Sequence, residues 1–378
     1  MSAEAVSVRL VGEAPTLIWG LAGSERLRRA FRQAGPTDVA LWPAEVKDTA
    51  IVLLARADYA MDATLIAGLL AMGLGVLIDP VTDEAVAACV PGPQAVAVAI
   101  WLSGGSTPEA INTLRRFNPA ALSVTHSKSL RRKGAGLLRR ITPETRKEVE
   151  GALFGASYKG ITDFVTKFVW PWPALHVTRL CTRLGLSANA VTALSAILVV
   201  AATLLFMRGA YGWGLAAAWV MTFLDTVDGK LARVTVTSTK LGNVFDHGID
   251  LIHPPIWYWA WFAGLGADGL AVPYPALVLT TIIGGYVLQR AQEGLFLALF
   301  RMEIHVWRPF DSRFRLITAR RNPNLILLTL GALLGRPDLG LLGVAVWTAL
   351  SLAVHAVRLI QAAVARSRHG ALQSWLAA

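Results

Sequence analysis

The sequence predicts an α-helical integral membrane domain with six transmembrane helices, preceded by an N-terminal cytoplasmic α/β domain. Of its 378 residues, 54% are hydrophobic and only 16% are charged, a low share for a soluble protein. Six apolar stretches of roughly spanning length crowd the second half. Before residue 150, by contrast, short apolar runs alternate with amphipathic stretches.

In the N-terminal segment, 1–150, the short runs are Thr16–Trp19, Asp38–Trp42, Ile51–Leu54, Gly75–Ile78 and Ala95–Trp101. Ser24–Ala34 and Ala63–Met72 have helical spacing. Strands alternating with helices argue for a largely parallel sheet. A basic segment, Lys128 to Lys147, reads as a solvated connector, with attraction to anionic lipid as the alternative. Residues 151–186 then form a linker and an interfacial helix. Within it, Phe164–Leu180 is amphipathic, interrupted by Trp170-Pro171-Trp172-Pro173, with Lys167 and Arg179 on its polar side.

The membrane domain covers 187–366 and a cytoplasmic tail covers 367–378. Its expected spans are Asn189–Met207, Tyr211–Val227, Val244–Leu265, Val272–Leu295, Asn324–Leu334 with its flanks, and Gly340–Val364. Pro254-Pro255 should bend the third. Basic residues follow spans two and four: Lys230, Arg233 and Lys240, then Arg301, Arg308, Arg313, Arg315, Arg320 and Arg321. The other turns offer only Arg208 and Arg336. The positive-inside rule therefore puts both termini and the N-terminal domain in the cytoplasm, in a multi-pass protein of the inner membrane.

That distribution also accounts for the net charge of +11 without a nucleic-acid partner. The two cysteines, Cys89 and Cys181, have no partner at metal-ligand spacing and read as small apolar fillers. Met1–Leu10 has no apolar core behind a basic segment, so no signal peptide is expected.

Asp225 and Asp228, three apart, close span two, while Asp246 and Asp250, four apart, open span three. Each pair falls on one face of its helix. Carboxylates at membrane depth are expensive, and their repulsion grows if they converge without a counter-charge. Helix capping explains one of them, or two, but not two spaced pairs on consecutive spans. Divalent cations do. Oxygen-only ligands suit Mg²⁺ or Mn²⁺, with a phosphate-bearing substrate completing the coordination. A metal pair can clamp a pyrophosphate during in-line displacement. Gly229, Gly242 and the small Ala232 leave bare backbone for something large to approach, and the planar fork of Arg233 can grip a phosphate.

The string Asp225-x-x-Asp228-Gly229-x-x-Ala232-Arg233, eight residues, then Gly242-x-x-x-Asp246-x-x-x-Asp250 resembles in full the signature of the CDP-alcohol phosphotransferase family. The resemblance implies a cytoplasm-facing cavity for the CDP group and a homodimer. It makes Asp225, Asp228 and Asp246 the principal ligands of a two-metal site and Asp250 the general base on the acceptor hydroxyl, with CMP leaving. Gly229, Ala232, Arg233 and Gly242 would line the cytidine and pyrophosphate site. Members of the family often open the first span with Thr-Pro-Asn-x-x-Thr. Here the segment is Ser187-Ala188-Asn189-Ala190-Val191-Thr192, which lacks the proline and makes Asn189 and Thr192 candidate nucleotide contacts, or helix caps.

The N-terminal domain more faintly resembles a nucleotidyltransferase, through Ser24-Glu25-Arg26-Leu27 and Leu53–Tyr59. Trp19-Gly20-Leu21-Ala22-Gly23 has no basic residue and cannot form the usual phosphate cradle, so an inactive relative is expected. In the membrane domain, Arg320 and Arg321 abut span five, where guanidinia could hold the phosphate of an acceptor. The expected acceptor is a phosphorylated polyol such as inositol phosphate or glycerol phosphate, and the expected donor is CDP-diacylglycerol. The same arginines also read as ordinary loop charge. His247 and His253 read as satisfied histidines rather than ligands, and Trp257, Tyr258, Trp259 and Trp261 as an interfacial aromatic belt.

Three other readings stay open. One is a soluble CDP-polyol donor with a lipid or polyol acceptor. A membrane prenyltransferase also binds pyrophosphate through metal, but its aspartate spacing differs and it lacks the Gly-x-x-Ala-Arg element. A transporter would bury its carboxylates near the midplane rather than at cytoplasmic helix ends.

Overall fold

A computed structural model of the chain describes residues 6–47, 50–123, 126–127, 130–134, 136–238 and 240–377. The side chains at 110, 126, 127, 132, 133, 240, 241, 243–247 and 268 lie outside that description. The chain divides into two compact units, Met1–Tyr158 with Lys230–Thr237, and Lys159–Gly229 with Ser238–Ala378. The first unit thus extends past residue 150 and takes in a segment from the far half of the sequence.

In the first unit the order is β1 (Ser7–Val11), α1 (Gly23–Ala34), β2 (Val39–Leu41), β3 (Ile51–Arg56), β4 (Tyr59–Met61), α2 (Ala63–Ala71), β5 (Gly75–Ile78), β6 (Ala85–Pro91), α3 (Ala95–Leu102), β7 (Arg116–Phe117), α4 (Pro119–Leu122) and α5 (Arg146–Ala156). The main sheet runs β2-β1-β3-β6-β5-β7. It is mixed rather than largely parallel, because β6 is antiparallel to both β3 and β5. The cause is the short Asp79–Glu84 connection, which makes a hairpin where a parallel crossover needs a dozen or more residues.

Two further expectations change. Thr16–Trp19 contributes only an isolated bridge between Ile18 and Leu21. Ala95–Trp101 is a helix, since an apolar run that short does not distinguish strand from buried helix by period. Along β3, Leu53 and Ala55 face the core shared with α1 and α2, while Val52 and Leu54 face that of α3. Cys89 is buried on β6, and burial pushes its thiol up to about 11, consistent with a small apolar filler.

Part of the basic segment is structured within this unit rather than a free connector. Leu138–Arg140 pairs antiparallel with β4, and α5 continues from Arg146. The Trp19 indole donates to the Glu150 carbonyl of α5 (3.2 Å) and stacks on Phe154.

The second unit is helical. A π-helical turn, Val165–Val169, precedes α6 (Pro171–Arg183), whose prolines fall in its first turn, where a missing N–H costs little. Then follow α7 (Ala188–Met207), α8 (Tyr211–Val234), α9 (Lys240–Leu265), α10 (Pro275–Leu279), α11 (Gly285–Phe300), α12 (Pro309–Phe314), α13 (Arg321–Leu333) and α14 (Pro337–His369). A π-helical turn joins α10 to α11. The six expected stretches therefore coincide with α7, α8, α9, α10–α11, α13 and α14. Among the described residues, α7 and α14 are long and apolar enough to cross a membrane.

The centre of this unit holds Phe206, Trp257, Tyr258 and Trp261. Of the expected aromatic belt only Trp259 is exposed. The others are core residues because their polar atoms find partners inside. The Trp257 indole donates to the Val199 carbonyl (3.1 Å), the Trp261 indole to the Pro337 carbonyl (3.0 Å), and the Asn324 amide to the Tyr258 hydroxyl (2.8 Å).

Candidate active site

Asp225 and Asp228 lie on α8, and Asp246 and Asp250 on α9. The side chain of Asp246 lies outside the described residues, as does that of His247. Asp228 is buried, and the Thr192 hydroxyl of α7 donates to its carboxylate at 2.6 Å. The other candidate on α7, Asn189, is exposed, and the capping role belongs to Ser187, whose hydroxyl accepts the Ala190 N–H. Thr192→Val therefore tests the carboxylate's support directly. Loss of that hydrogen bond is expected to weaken Mn²⁺ binding by about 10–100-fold, read by titrating free Mn²⁺ by electron paramagnetic resonance.

Asp225 and Asp250 converge on a single cation. The Arg321 guanidinium donates to Asp225 and to Asp250, each at 2.5 Å. A fixed anchorage aims it there. Asn322, the next residue, is buried and donates to Asp163 (3.0 Å), while Asn324 holds Tyr258. Further along the same helices, the Trp219 indole of α8 donates to the Thr329 hydroxyl of α13 (3.0 Å). Two carboxylates closing on one positive charge, with a third braced by a hydroxyl, form an oxygen-only donor set of the kind that suits Mg²⁺ or Mn²⁺.

The prolines of α9 also bear on Asp250. An α-helix sends each N–H to the carbonyl four residues back. Pro254 and Pro255 have no N–H, so the carbonyls of Asp250 and Leu251 lose their helical donors. The Tyr286 hydroxyl of α11 reaches both, at 3.3 and 3.1 Å. His253 is buried and bonds the Ile249 carbonyl through Nδ1 (2.7 Å), while its Nε2 is buried without a hydrogen-bond partner, so only half of the ring is satisfied. Tyr286→Phe is expected to cost about 1–3 kcal/mol by leaving these carbonyls short of a donor, seen as a lower Tm. It should also lower kcat more than it raises KM, because the backbone carrying Asp250 loosens.

The two neighbouring arginines part company. Arg320 pairs with Glu293 of α11, which also accepts from Arg290 and lies 3.2 Å from His305 Nε2. Glu293, His305 and His355 bring their ligand atoms within 4.8 Å of one another. Two guanidinia already occupy the carboxylate, so the cluster holds Arg320 better than it would a dication. Sequence reasoning missed Tyr286, Glu293 and the Asp163–Asn322 pair, whose partners lie far along the chain.

Within the first unit, Arg233 is exposed, and its guanidinium donates to the Ser157 carbonyl (3.3 Å), as does the Lys230 ammonium (3.1 Å). Gly229 and Ala232 lie on α8, and Gly242 on the first turn of α9; all three are partly buried.

Carboxylates from two consecutive helices, Asp225 of α8 and Asp250 of α9, thus meet at one guanidinium beside the buried Asp228. Residues 186–303 match the family model described as CDP-alcohol phosphatidyltransferase. Among curated relatives, phosphatidylinositol phosphate synthase of Mycobacteroides abscessus is 33% identical over 118 residues, covering 30% of this chain and 53% of the relative. Cholinephosphotransferase 1 of Xenopus laevis is 29% identical over 123 residues, covering 30% of this chain and 29% of the relative. The chain thus spans about half the length of the first relative and less of the second. A crystal structure of Mycobacterium tuberculosis phosphatidylinositol phosphate synthase in complex with manganese and citrate aligns with a TM-score of 0.38 at 18% identity. That alignment covers 50% of this chain and 88% of the other.

Proposed function

We propose that this protein is a membrane-embedded CDP-alcohol phosphotransferase that moves a phosphatidyl group from CDP-diacylglycerol to a phosphorylated polyol, releasing CMP. The observation carrying this reading is the convergence of Asp225 and Asp250 on one cation beside the braced Asp228, inside a segment matching the family model. Bound Mg²⁺ or Mn²⁺, held by Asp225, Asp228, Asp246 and Asp250, would neutralise the pyrophosphate of the donor. Asp250 takes the proton of the acceptor hydroxyl as its oxygen attacks the β-phosphorus. The bond from that phosphorus to the CMP oxygen breaks, and CMP leaves with the electron pair. Gly229, Gly242, Asn189 and Thr192 would line the nucleotide. With cations on Asp225 and Asp250, Arg321 would be released to bind the acceptor phosphate, whereas Arg320 stays on Glu293.

The helices over the six apolar stretches are read as spans of the inner membrane, in a homodimer with both termini and the site facing the cytoplasm. In support, α7 exposes Leu194, Ile197, Val200 and Leu204 along one face, an apolar stripe that suits lipid. The first unit is read as a cytoplasmic nucleotidyltransferase-like domain without its phosphate loop. The test of substrate is an acceptor screen on purified protein with Mn²⁺ and CDP-diacylglycerol, using inositol 1-phosphate, glycerol 3-phosphate, free inositol and serine. Lipid product with one of the two phosphorylated acceptors is the expected result. Product only with an unphosphorylated acceptor, or only from a soluble CDP-polyol donor, would contradict it.

A further inference from the structure

Residues 301–320 connect α11 to α13 and deliver Arg320 and Arg321 to the start of α13. Connections longer than about 12–15 residues are uncommon in compact domains, so what holds this one in place matters. Two of its supports come from α14. Arg358 grips Asp311 through two nitrogens (2.6 and 2.8 Å), and the Ser351 hydroxyl accepts the Ala319 N–H (3.1 Å).

The third support is the segment that follows α14. Gly370 ends that helix at φ +78° and ψ −146°, a conformation that residues with a Cβ rarely adopt. From there the chain runs to the α11–α13 connection. Leu372 packs against the cluster of Phe296, Phe300, Ile304 and Trp307. The Ser374 hydroxyl donates to the Val306 carbonyl (2.6 Å), and the Trp375 N–H to the Trp307 carbonyl (3.2 Å). The Trp375 indole donates to the Ser312 hydroxyl (2.9 Å), which itself donates to the His305 carbonyl (2.8 Å). Leu376 is buried in a cluster with Val306 and Ile161. Ile161 lies two residues before Asp163, whose carboxylate takes the Asn322 amide next to Arg321. The segment therefore touches both supports of Arg321, the connection leading to it and the stretch of chain that holds Asn322.

We propose that residues 370–377 form a latch that positions Arg321 for the acceptor phosphate, a role that rests on the reading of Arg321 given above. Ser374, Trp375 and Leu376 are positioning residues, acting through the connection rather than on substrate. They keep it in the geometry that binds, so that the acceptor does not itself have to order it. When unlatching leaves that geometry populated about a tenth of the time, apparent acceptor affinity falls about tenfold. Asp225, Asp228 and Asp250 sit on α8 and α9, outside the latched connection, and keep their metal and donor.

Two variants of the full-length protein test the latch. Ser374→Ala combined with Trp375→Phe removes two side-chain donors with little change in volume. Gly370→Val strains the turn from outside those contacts. Both are assayed in detergent with Mn²⁺, CDP-diacylglycerol and whichever of inositol 1-phosphate and glycerol 3-phosphate the wild type uses. Each should raise the acceptor KM about tenfold, while kcat, Mn²⁺ affinity and the KM for CDP-diacylglycerol change less than about twofold. Hydrogen–deuterium exchange, which needs no turnover, should be faster over residues 304–318 in both variants and unchanged over α8. An unchanged acceptor KM in both variants, or a fall in kcat and Tm in its place, shows a structural role only and overturns the proposal. Unchanged exchange in an active protein overturns the latch alone. A wild type that transfers nothing to either phosphorylated acceptor overturns the reading of Arg321 on which the role rests.

Discussion

Asp250→Asn is expected to lower the kcat of CMP release by about 10²–10⁴-fold while leaving most Mn²⁺ affinity in place. Asparagine keeps the size of the side chain and one oxygen but cannot accept the hydroxyl proton at neutral pH. Asp225→Asn and Asp228→Asn should behave differently. Both are more buried than Asp250, and as ligands they would supply charge to the cations. Their loss should abolish metal binding and turnover together. Titrating Mn²⁺ against each variant, alongside CMP release, separates the two roles. Equal loss of metal in all three variants would remove the distinction between base and ligand.

Arg321→Ala should have the second-largest effect, and it depends on metal. Without cations, Asp225 and Asp250 rely on this guanidinium for counter-charge. Breaking a buried pair by removing one partner typically costs about 3–5 kcal/mol, because the remaining charge stays behind. The variant should therefore unfold at a clearly lower Tm in EDTA, and saturating Mn²⁺ should recover most of that difference. With metal bound, the defect should move to substrate, raising KM at least about tenfold for a phosphorylated acceptor and hardly at all for free inositol. A Tm deficit that Mn²⁺ leaves untouched would mean that Arg321 is structural only. The same KM for a phosphorylated acceptor would end its assigned role in acceptor binding.

What could be read from the sequence was whatever lay in local spacing. Intervals of three and four residues put Asp225 with Asp228 and Asp246 with Asp250 on helix faces, and the apolar stretches fall on helices, of which α7 and α14 are long and apolar enough among the described residues to cross a membrane. What could not be read was pairing across distance. Pro254-Pro255 was legible as a fault in the third helix, but the hydroxyl that repairs it belongs to Tyr286, on another helix. Arg320 and Arg321 look equivalent in sequence, yet the helix start turns one toward Glu293 and the other toward the aspartates. The aromatic cluster misled because composition reports that a tryptophan needs a partner for its N–H without reporting that the Val199 and Pro337 carbonyls supply one. In the first unit the β5–β6 hairpin was missed, and with it the reversal of direction that makes the sheet mixed.

The most direct test of the central claim is CMP release from CDP-diacylglycerol by metal-stripped, purified protein, measured with an acceptor mixture containing inositol 1-phosphate and glycerol 3-phosphate. The aspartate site predicts no release in EDTA, release on adding Mn²⁺ or Mg²⁺, and none with Asp250→Asn under the same conditions. Release that persists in EDTA or in the Asp250 variant would contradict the account, as would no CMP from this or any soluble CDP-alcohol donor when metal is present.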